Sequence, residues 1–277
     1  MQLKAIIFDW AGTVVDFGSL CPVEAFRAAF AERAVEVSIR DVQRFMGIRK
    51  REHIQSILNL PAVSARWWAL QGRGPNGQDL DELYERAEHL LIETVTSFAT
   101  PIPHALEAVE QARKLGLKIG SSTGYTSPMM ERLAPAARKH GYRPDFWVAS
   151  DQVAHGRPWP WMIFRNMEHL QVCPPATVVK VGDTVADVEE AKNAGVWSVA
   201  VVESSSVVGK SPAELEALTA SKRRTAFQHA RIQLAEAGAH FVINNLSELD
   251  VVLEQIGERL DKGQNPPQLN RRRKELV

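Results

Sequence analysis

Six short runs of aliphatic and β-branched residues punctuate this 277-residue chain, and no other feature restricts its fold as much. Leu3–Phe8, Leu117–Ser121, Phe146–Ala149, Thr177–Val181, Trp197–Val202 and His240–Ile243 read as strands. Their apolar character is nearly continuous and does not alternate, which suits strands covered on both faces in a parallel sheet. Helical patterns lie between several of them, at Pro103–Lys114, Met129–His140 and Val185–Ala194. Strand, helix and strand repeated in this way predict an α/β protein with a doubly wound parallel sheet.

One interval breaks the alternation. From about Ser19 to Thr100 there are helical patterns and no convincing strand. Ala25–Val35 carries an apolar stripe, and Ser38 with Asp41 has the form of a capping box. A second helix is expected near Arg49–Leu58, a third around Trp67 and Trp68, and a long amphipathic one over Leu80–Ser97. The reading is an all-helical cap inserted after the first strand, a lid over the mouth of the sheet. Residues 1–18 and 101–262 then form the core, 19–100 the cap, and 263–277 a flexible tail containing Arg271–Lys274.

Charge and composition exclude several classes of partner. Lysine plus arginine equals aspartate plus glutamate at 33 each, so no global field draws the chain to nucleic acid or an anionic membrane. No apolar run approaches the roughly 20 residues that span a bilayer. Met1-Gln2-Leu3-Lys4 enters a strand directly, so no signal peptide is expected. Cys21 and Cys173 lie far apart and make no metal-like pair, which suits a reduced, cytoplasmic protein; Cys21 reads as a small buried hydrophobe. Trp67 and Trp68 read as packing or a subunit contact, Trp161 and Met162 as helix core.

Ligands of open parallel sheets bind beyond the carboxyl ends of the strands. The first strand runs into Asp9 in Asp-Trp-Ala-Gly-Thr, the second into Ser122-Thr123-Gly124-Tyr125, and the fourth into Gly182-Asp183-Thr184 with Asp187 four residues on. A lone aspartate at a strand end is usually just a helix cap; this set at one sheet edge demands more. An aspartate oxygen can attack phosphorus and divide one hard displacement into two easier ones. With a second aspartate it can hold an octahedral Mg²⁺. Thr123 and the Gly124 backbone N–H can donate to a phosphoryl oxygen, and Arg157 offers a planar fork to such oxygens.

This order of motifs is similar to the haloacid dehalogenase superfamily over residues 1–260. The resemblance implies a Rossmann-like core, an aspartyl-phosphate intermediate, and Mg²⁺ held by Asp9, Asp183 and the backbone carbonyl of Ala11, with Asp187 and Thr184 in support. One departure matters. Two residues after the nucleophile, where most phosphatases of that superfamily carry an acid for the alcohol leaving group, this chain has Ala11. Such an acid contributes roughly 10²–10⁴-fold to rate. A carbon leaving group needs an electron sink instead, and an imine on a lysine is one. Met46-Gly47-Ile48-Arg49-Lys50-Arg51-Glu52-His53 supplies a lysine and, three residues on, a histidine on the same helix face.

Together with Gly156-Arg157-Pro158 these motifs resemble the phosphonoacetaldehyde hydrolase family. That resemblance implies cleavage of a small phosphonate in 2-aminoethylphosphonate degradation by a cytoplasmic homodimer. It assigns the nucleophile to Asp9, the Schiff base to Lys50 and a proton relay to His53. Met46 and Tyr125 would line the pocket, and Thr123, Gly124 and Arg157 would hold the phosphonate. The competing reading is a phosphatase or phosphomutase of the same superfamily acting on a phosphate ester without Lys50. A non-catalytic protein would have no need to keep Asp9, Thr123, Arg157 and Asp183 together.

Overall fold

The computed structural model of the chain describes residues 2–267, so the basic tail expected at Arg271–Lys274 lies outside the described residues. Its centre is a sheet of β1 (Ala5–Phe8), β2 (Lys118–Thr123), β3 (Phe146–Ala149), β4 (Val178–Gly182), β5 (Trp197–Val201) and β6 (Phe241–Ile243). All neighbours are parallel, in the order β3-β2-β1-β4-β5-β6. Every residue of β1, β4 and β5 is buried, as near-continuous apolar runs require. The exception in character is Lys180, a charged residue in the middle of β4 that is only 1% exposed.

Five α-helices fill the insertion expected over residues 19–100: α1 (Leu20–Ala31), α2 (Ile39–Gln43), α3 (Lys50–Leu58), α4 (Pro61–Gln71) and α5 (Gly77–Thr94). They bury Phe26, Phe30, Ile54, Ile57, Leu83 and Leu91 in an apolar cluster continuous with one side of the sheet. Each such side chain contributes about 1.5–3 kcal/mol on burial. The capping box at Ser38 and Asp41 opens α2, and Asn76 with Asp79 makes another at α5. The first helix begins at Leu20, five residues before the expected stripe. Asp16, in a left-handed backbone conformation, turns its carboxylate back to accept from the Leu20 and Cys21 N–H groups.

The chain leaves the sheet and returns to it along adjacent paths. Ile102 N–H donates to Val14 O at 3.0 Å, and Val15 bridges Pro101. The chain therefore enters and leaves the helical insertion through one paired crossing. The remaining helices are α6 (Ala105–Lys114), α7 (Ser127–Lys139), α8 (Trp161–Leu170), α9 (Val185–Ala194), α10 (Pro212–Glu216), α11 (Ala220–Glu236) and α12 (Leu249–Asp261).

The aromatic expectations divide. Trp67 is buried in the insertion, whereas Trp68 is 61% exposed. Trp161, expected in a helix core, stands 43% exposed because the buried stripe of α8 starts one residue later, at Met162, Ile163 and Asn166. Cys21 is buried as expected. Among the described residues, no helix is long and apolar enough to cross a membrane.

Candidate active site

A small cleft opens where the carboxyl ends of β1, β2 and β4 meet the helical insertion. Asp9, Ala11, Met46, Lys50, Thr123, Gly124, Tyr125, Arg157 and Thr184 all line it. Sheet and insertion approach through backbone. A Cβ on Gly124 would lie 2.9 Å from Ile48 O and 3.1 Å from Gly47 O, and one on Gly47 would lie 2.4 Å from Thr184 Oγ1. Gly47 also has φ +90°, a conformation that L side chains avoid.

The loop after β1 turns at Gly12, where any side chain would strike the Asp183 carboxylate and Ser19. That close approach sets Asp9 and Asp183 side by side. Carboxylate oxygens of Asp9, Asp183 and Asp187 lie within 4.8 Å of one another, all buried. Asp183 accepts from the Ser206 N–H at 2.8 Å and, more loosely, from the Thr13 hydroxyl at 3.4 Å. Burial, with Asp9 and Asp187 adding repulsion, pushes its carboxyl far above the usual range.

Asp187 is differently placed. With Thr184 it forms the capping box of α9, its Oδ2 accepting from the Thr184 hydroxyl at 2.6 Å. Its Oδ1 meets Lys180 Nζ at 2.8 Å and Arg157 at 3.0 Å. Burial alone would raise its carboxyl, but those two cations outweigh it and hold the group below the ordinary value.

Arg157 was expected to hold phosphonate. It lines the cleft, yet its guanidinium is already gripped by this chain's own groups. It donates to Asp9 Oδ1 at 2.7 Å, Glu190 Oε2 at 2.9 Å, and the Ser122 carbonyl and hydroxyl at 2.8 and 3.0 Å. Burial opposes its charge, but Asp187, Asp9 and Glu190 more than restore it and drive its pKa upward. Lys180 completes the cluster, donating to the Ser122 hydroxyl at 3.0 Å. Sequence reasoning passed over Lys180, Glu190 and Ser206, and it quoted Ser122 without giving it a role.

Four buried carboxylates thus face two buried cations, Arg157 and Lys180. The surplus is two negative charges if all four are ionised, and a divalent cation would balance it. The donors near Asp9 and Asp183 are oxygens, with no thiolate or imidazole among the three clustered ligands, which fits a hard cation.

Lys50 is the first residue of α3 and only 5% exposed. Its ammonium sits 4.7 Å from the centroid of the Tyr125 ring. Burial brings its pKa down from 10.5 to about 8, with Arg157 helping and Cys21, Asp9 and Asp16 opposing. The partial positive charge of a helix N-terminus acts in the same direction. Asp16, which sequence reasoning also missed, is pushed up to about 7 by burial against the Cys21 and Leu20 N–H groups and Lys50. Tyr125 makes no hydrogen bond of ordinary geometry through its hydroxyl, which faces the Cys21 thiol.

Neither neighbouring arginine turns its guanidinium to Lys50. Arg51 pairs with Asp81 on the outside of the insertion, and Arg49 reaches across to the sheet. His53 is fully buried between the rings of Phe26 and Phe45. Its Nε2 lies 2.7 Å from Val42 O, so that nitrogen carries the proton, and Nδ1 has no partner. Burial, then Lys50, push its pKa down to about 3. The ring is neutral at any physiological pH.

Thr123 and Gly124 close the site from β2, and the Thr123 hydroxyl accepts from the Tyr125 N–H at 3.1 Å. Ala11 leaves no carboxylic acid two residues from Asp9.

Comparison with known proteins agrees with this geometry. Residues 3–195 match the model of the haloacid dehalogenase-like hydrolases. The chain is 45% identical to the phosphonoacetaldehyde hydrolase of Syntrophobacter fumaroxidans over 95% of both chains. It is 40% identical to that of Bacillus cereus strain G9842 over 92% of this chain and 97% of the other. Among solved structures it resembles a phosphonoacetaldehyde hydrolase-like protein from Oleispira antarctica, with TM-score 0.93, 34% identity and 96% of each chain covered.

Proposed function

Because the chain belongs to the haloacid dehalogenase-like hydrolases and, within them, to the phosphonoacetaldehyde hydrolases, we propose that it cleaves the carbon–phosphorus bond of phosphonoacetaldehyde, releasing acetaldehyde and phosphate. The observation that carries this reading is one cleft holding both Asp9 and a buried lysine, with alanine where an ester phosphatase keeps its acid.

Residues 19–100 act as a cap over a core of residues 1–18 and 101–262. Lys50, partly neutral because it is buried at a helix N-terminus, attacks the aldehyde carbon. Loss of water leaves an iminium ion. Asp9 then attacks phosphorus, the carbon–phosphorus electron pair moves into the iminium, and the organic fragment becomes an enamine on Lys50. Protonation at carbon and hydrolysis of the imine free acetaldehyde and Lys50. Hydrolysis of the acyl phosphate on Asp9 frees phosphate.

Asp9 and Asp183, with the carbonyl of Ala11, would hold Mg²⁺, which when bound neutralises phosphoryl oxygens and the carboxylate surplus. Asp187 and Thr184 support that pair through the α9 capping box. Thr123 and the Gly124 N–H bind phosphonate oxygens, and Met46 and Tyr125 wall the two-carbon aldehyde. Arg157 fixes the Asp9 carboxylate through Oδ1 and offers the phosphonate only its edge at the cleft. The resemblance assigns His53 the proton transfers of imine formation; buried between two phenyl rings with Nε2 on Val42 O, it has the unpartnered Nδ1 to offer them. The family resemblance adds a homodimer in the cytoplasm.

The test is acetaldehyde release from phosphonoacetaldehyde, with and without a chelator, beside a panel of phosphate esters. Turnover of the esters without action on the phosphonate would overturn the reading.

A further inference from the structure

The residue before the reactive lysine reaches from the insertion to the core. Arg49 is half-buried. It donates from Nε to Ser150 O at 3.1 Å, from Nη2 to Ser150 O at 2.7 Å, and from Nη2 to Val153 O. Its stem lies on Gly156, where an added Cβ would come within 2.8 Å of Arg49 Cγ. A planar fork meeting two carbonyls fixes orientation as well as distance, which an ammonium group cannot do.

The carbonyl it grips belongs to the residue that braces the phosphonate loop. Ser150 N–H donates to Tyr125 O at 3.0 Å, and the Ser150 hydroxyl donates to Tyr125 O at 3.1 Å and Gly124 O at 3.3 Å. The Tyr125 ring in turn carries the Lys50 ammonium. A closed circuit results, from Lys50 through the chain to Arg49, through hydrogen bonds to Ser150 and the Gly124–Tyr125 loop, and back to Lys50. Both acceptors of the Arg49 guanidinium are neutral backbone carbonyls, so its action is geometric.

We propose that Arg49 is a positioning residue: it registers the Lys50 amine against the loop that holds the phosphonate, so that imine formation and phosphoryl transfer share one geometry. This rests on the imine reading of Lys50, and the test separates the two. Borohydride trapping is followed by mass spectrometry for the wild type, Arg49→Ala, Arg49→Lys and, as a control on the outer cap surface, Arg51→Gln, alongside steady-state kinetics with phosphonoacetaldehyde.

Misplacement of a reacting group by about 1 Å costs on the order of 10²-fold. Arg49→Ala should therefore lose about that factor in both kcat and trapping rate, while KM moves by less than about threefold because the phosphonate is held by the core. Added guanidinium should restore part of the lost rate, Arg49→Lys should recover little, and Arg51→Gln should match the wild type. Arg49→Ala with kcat and trapping within about twofold of the wild type overturns the proposal, as does a rise in KM alone. Should Arg49→Ala fail to fold, Arg49→Lys at wild-type rates overturns it equally. A wild type that borohydride and substrate do not modify overturns the imine reading itself.

Discussion

Replacing Lys50 by methionine should abolish turnover and at the same time stabilise the fold. The lysine is 5% exposed and opens a helix, so its charged form is held against burial. The drop from 10.5 to about 8 corresponds, at about 1.4 kcal/mol per unit, to about 3 kcal/mol of opposition to the ammonium. Part of that gain is lost with the cation–π contact to Tyr125, which contributes up to about 2 kcal/mol when desolvated. Methionine matches the stem in volume, so the net expectation at pH 7 is about 1–3 kcal/mol, or several degrees in Tm for a chain of this size.

The pH dependence fixes the cause. Between about pH 8 and 10.5 the unfolded lysine keeps a proton that the folded one has released. Wild-type stability therefore rises with pH across that window relative to the variant. The gap should be full below pH 8 and close as pH approaches 10.5, when measured by calorimetry on both proteins in the same buffers. The neutral amine is about one molecule in ten at pH 7 with this pKa, against about one in three thousand for an exposed lysine. Trapping by borohydride should accordingly level off just above pH 8. A methionine variant less stable than the wild type at pH 7, or a gap indifferent to pH, refutes the reasoning.

Asp9→Asn removes the attacking anion but leaves Lys50, so turnover should vanish while substrate and borohydride still modify Lys50; loss of both would place Asp9 in imine formation as well. Asp183→Asn should weaken Mg²⁺ binding by at least tenfold in calorimetric titration, with near-native circular dichroism, and unchanged affinity would remove Asp183 from the metal site. Lys180→Met leaves Asp187 and Glu190 short of a buried cation and should cost about 3–5 kcal/mol in denaturant unfolding. Pairing it with Glu190→Gln should recover part of that loss, and strict additivity would deny the coupling.

Period and strand-end chemistry made most of this legible from sequence. Buried parallel strands need apolar runs, so all six appeared, with ends shifted by at most two residues where hydrogen bonding rather than hydrophobicity decides the boundary. The cleft residues at the ends of β1, β2 and β4 followed from topology. The start of α1 did not, because its cap is Asp16, folded back through a left-handed backbone that composition does not signal. Nor did the engagement of Arg157, since a guanidinium looks free until the carboxylates around it are known.

Lys180 is the instructive omission. In Val178-Val179-Lys180-Val181 it was absorbed into an apolar run, yet a charge within a strand covered on both faces must find buried partners. Its partners, Asp187 and Glu190, stand three apart on α9 and so share one face of that helix. A lysine inside a buried strand and acids at that spacing on the following helix are together a sequence signal for a buried ionic cluster. Arg157 joins the same cluster and hands it on to Asp9. The orientation of Asp9 is thus fixed through Arg157 from Lys180, Asp187 and Glu190, three charged groups that do not line the cleft.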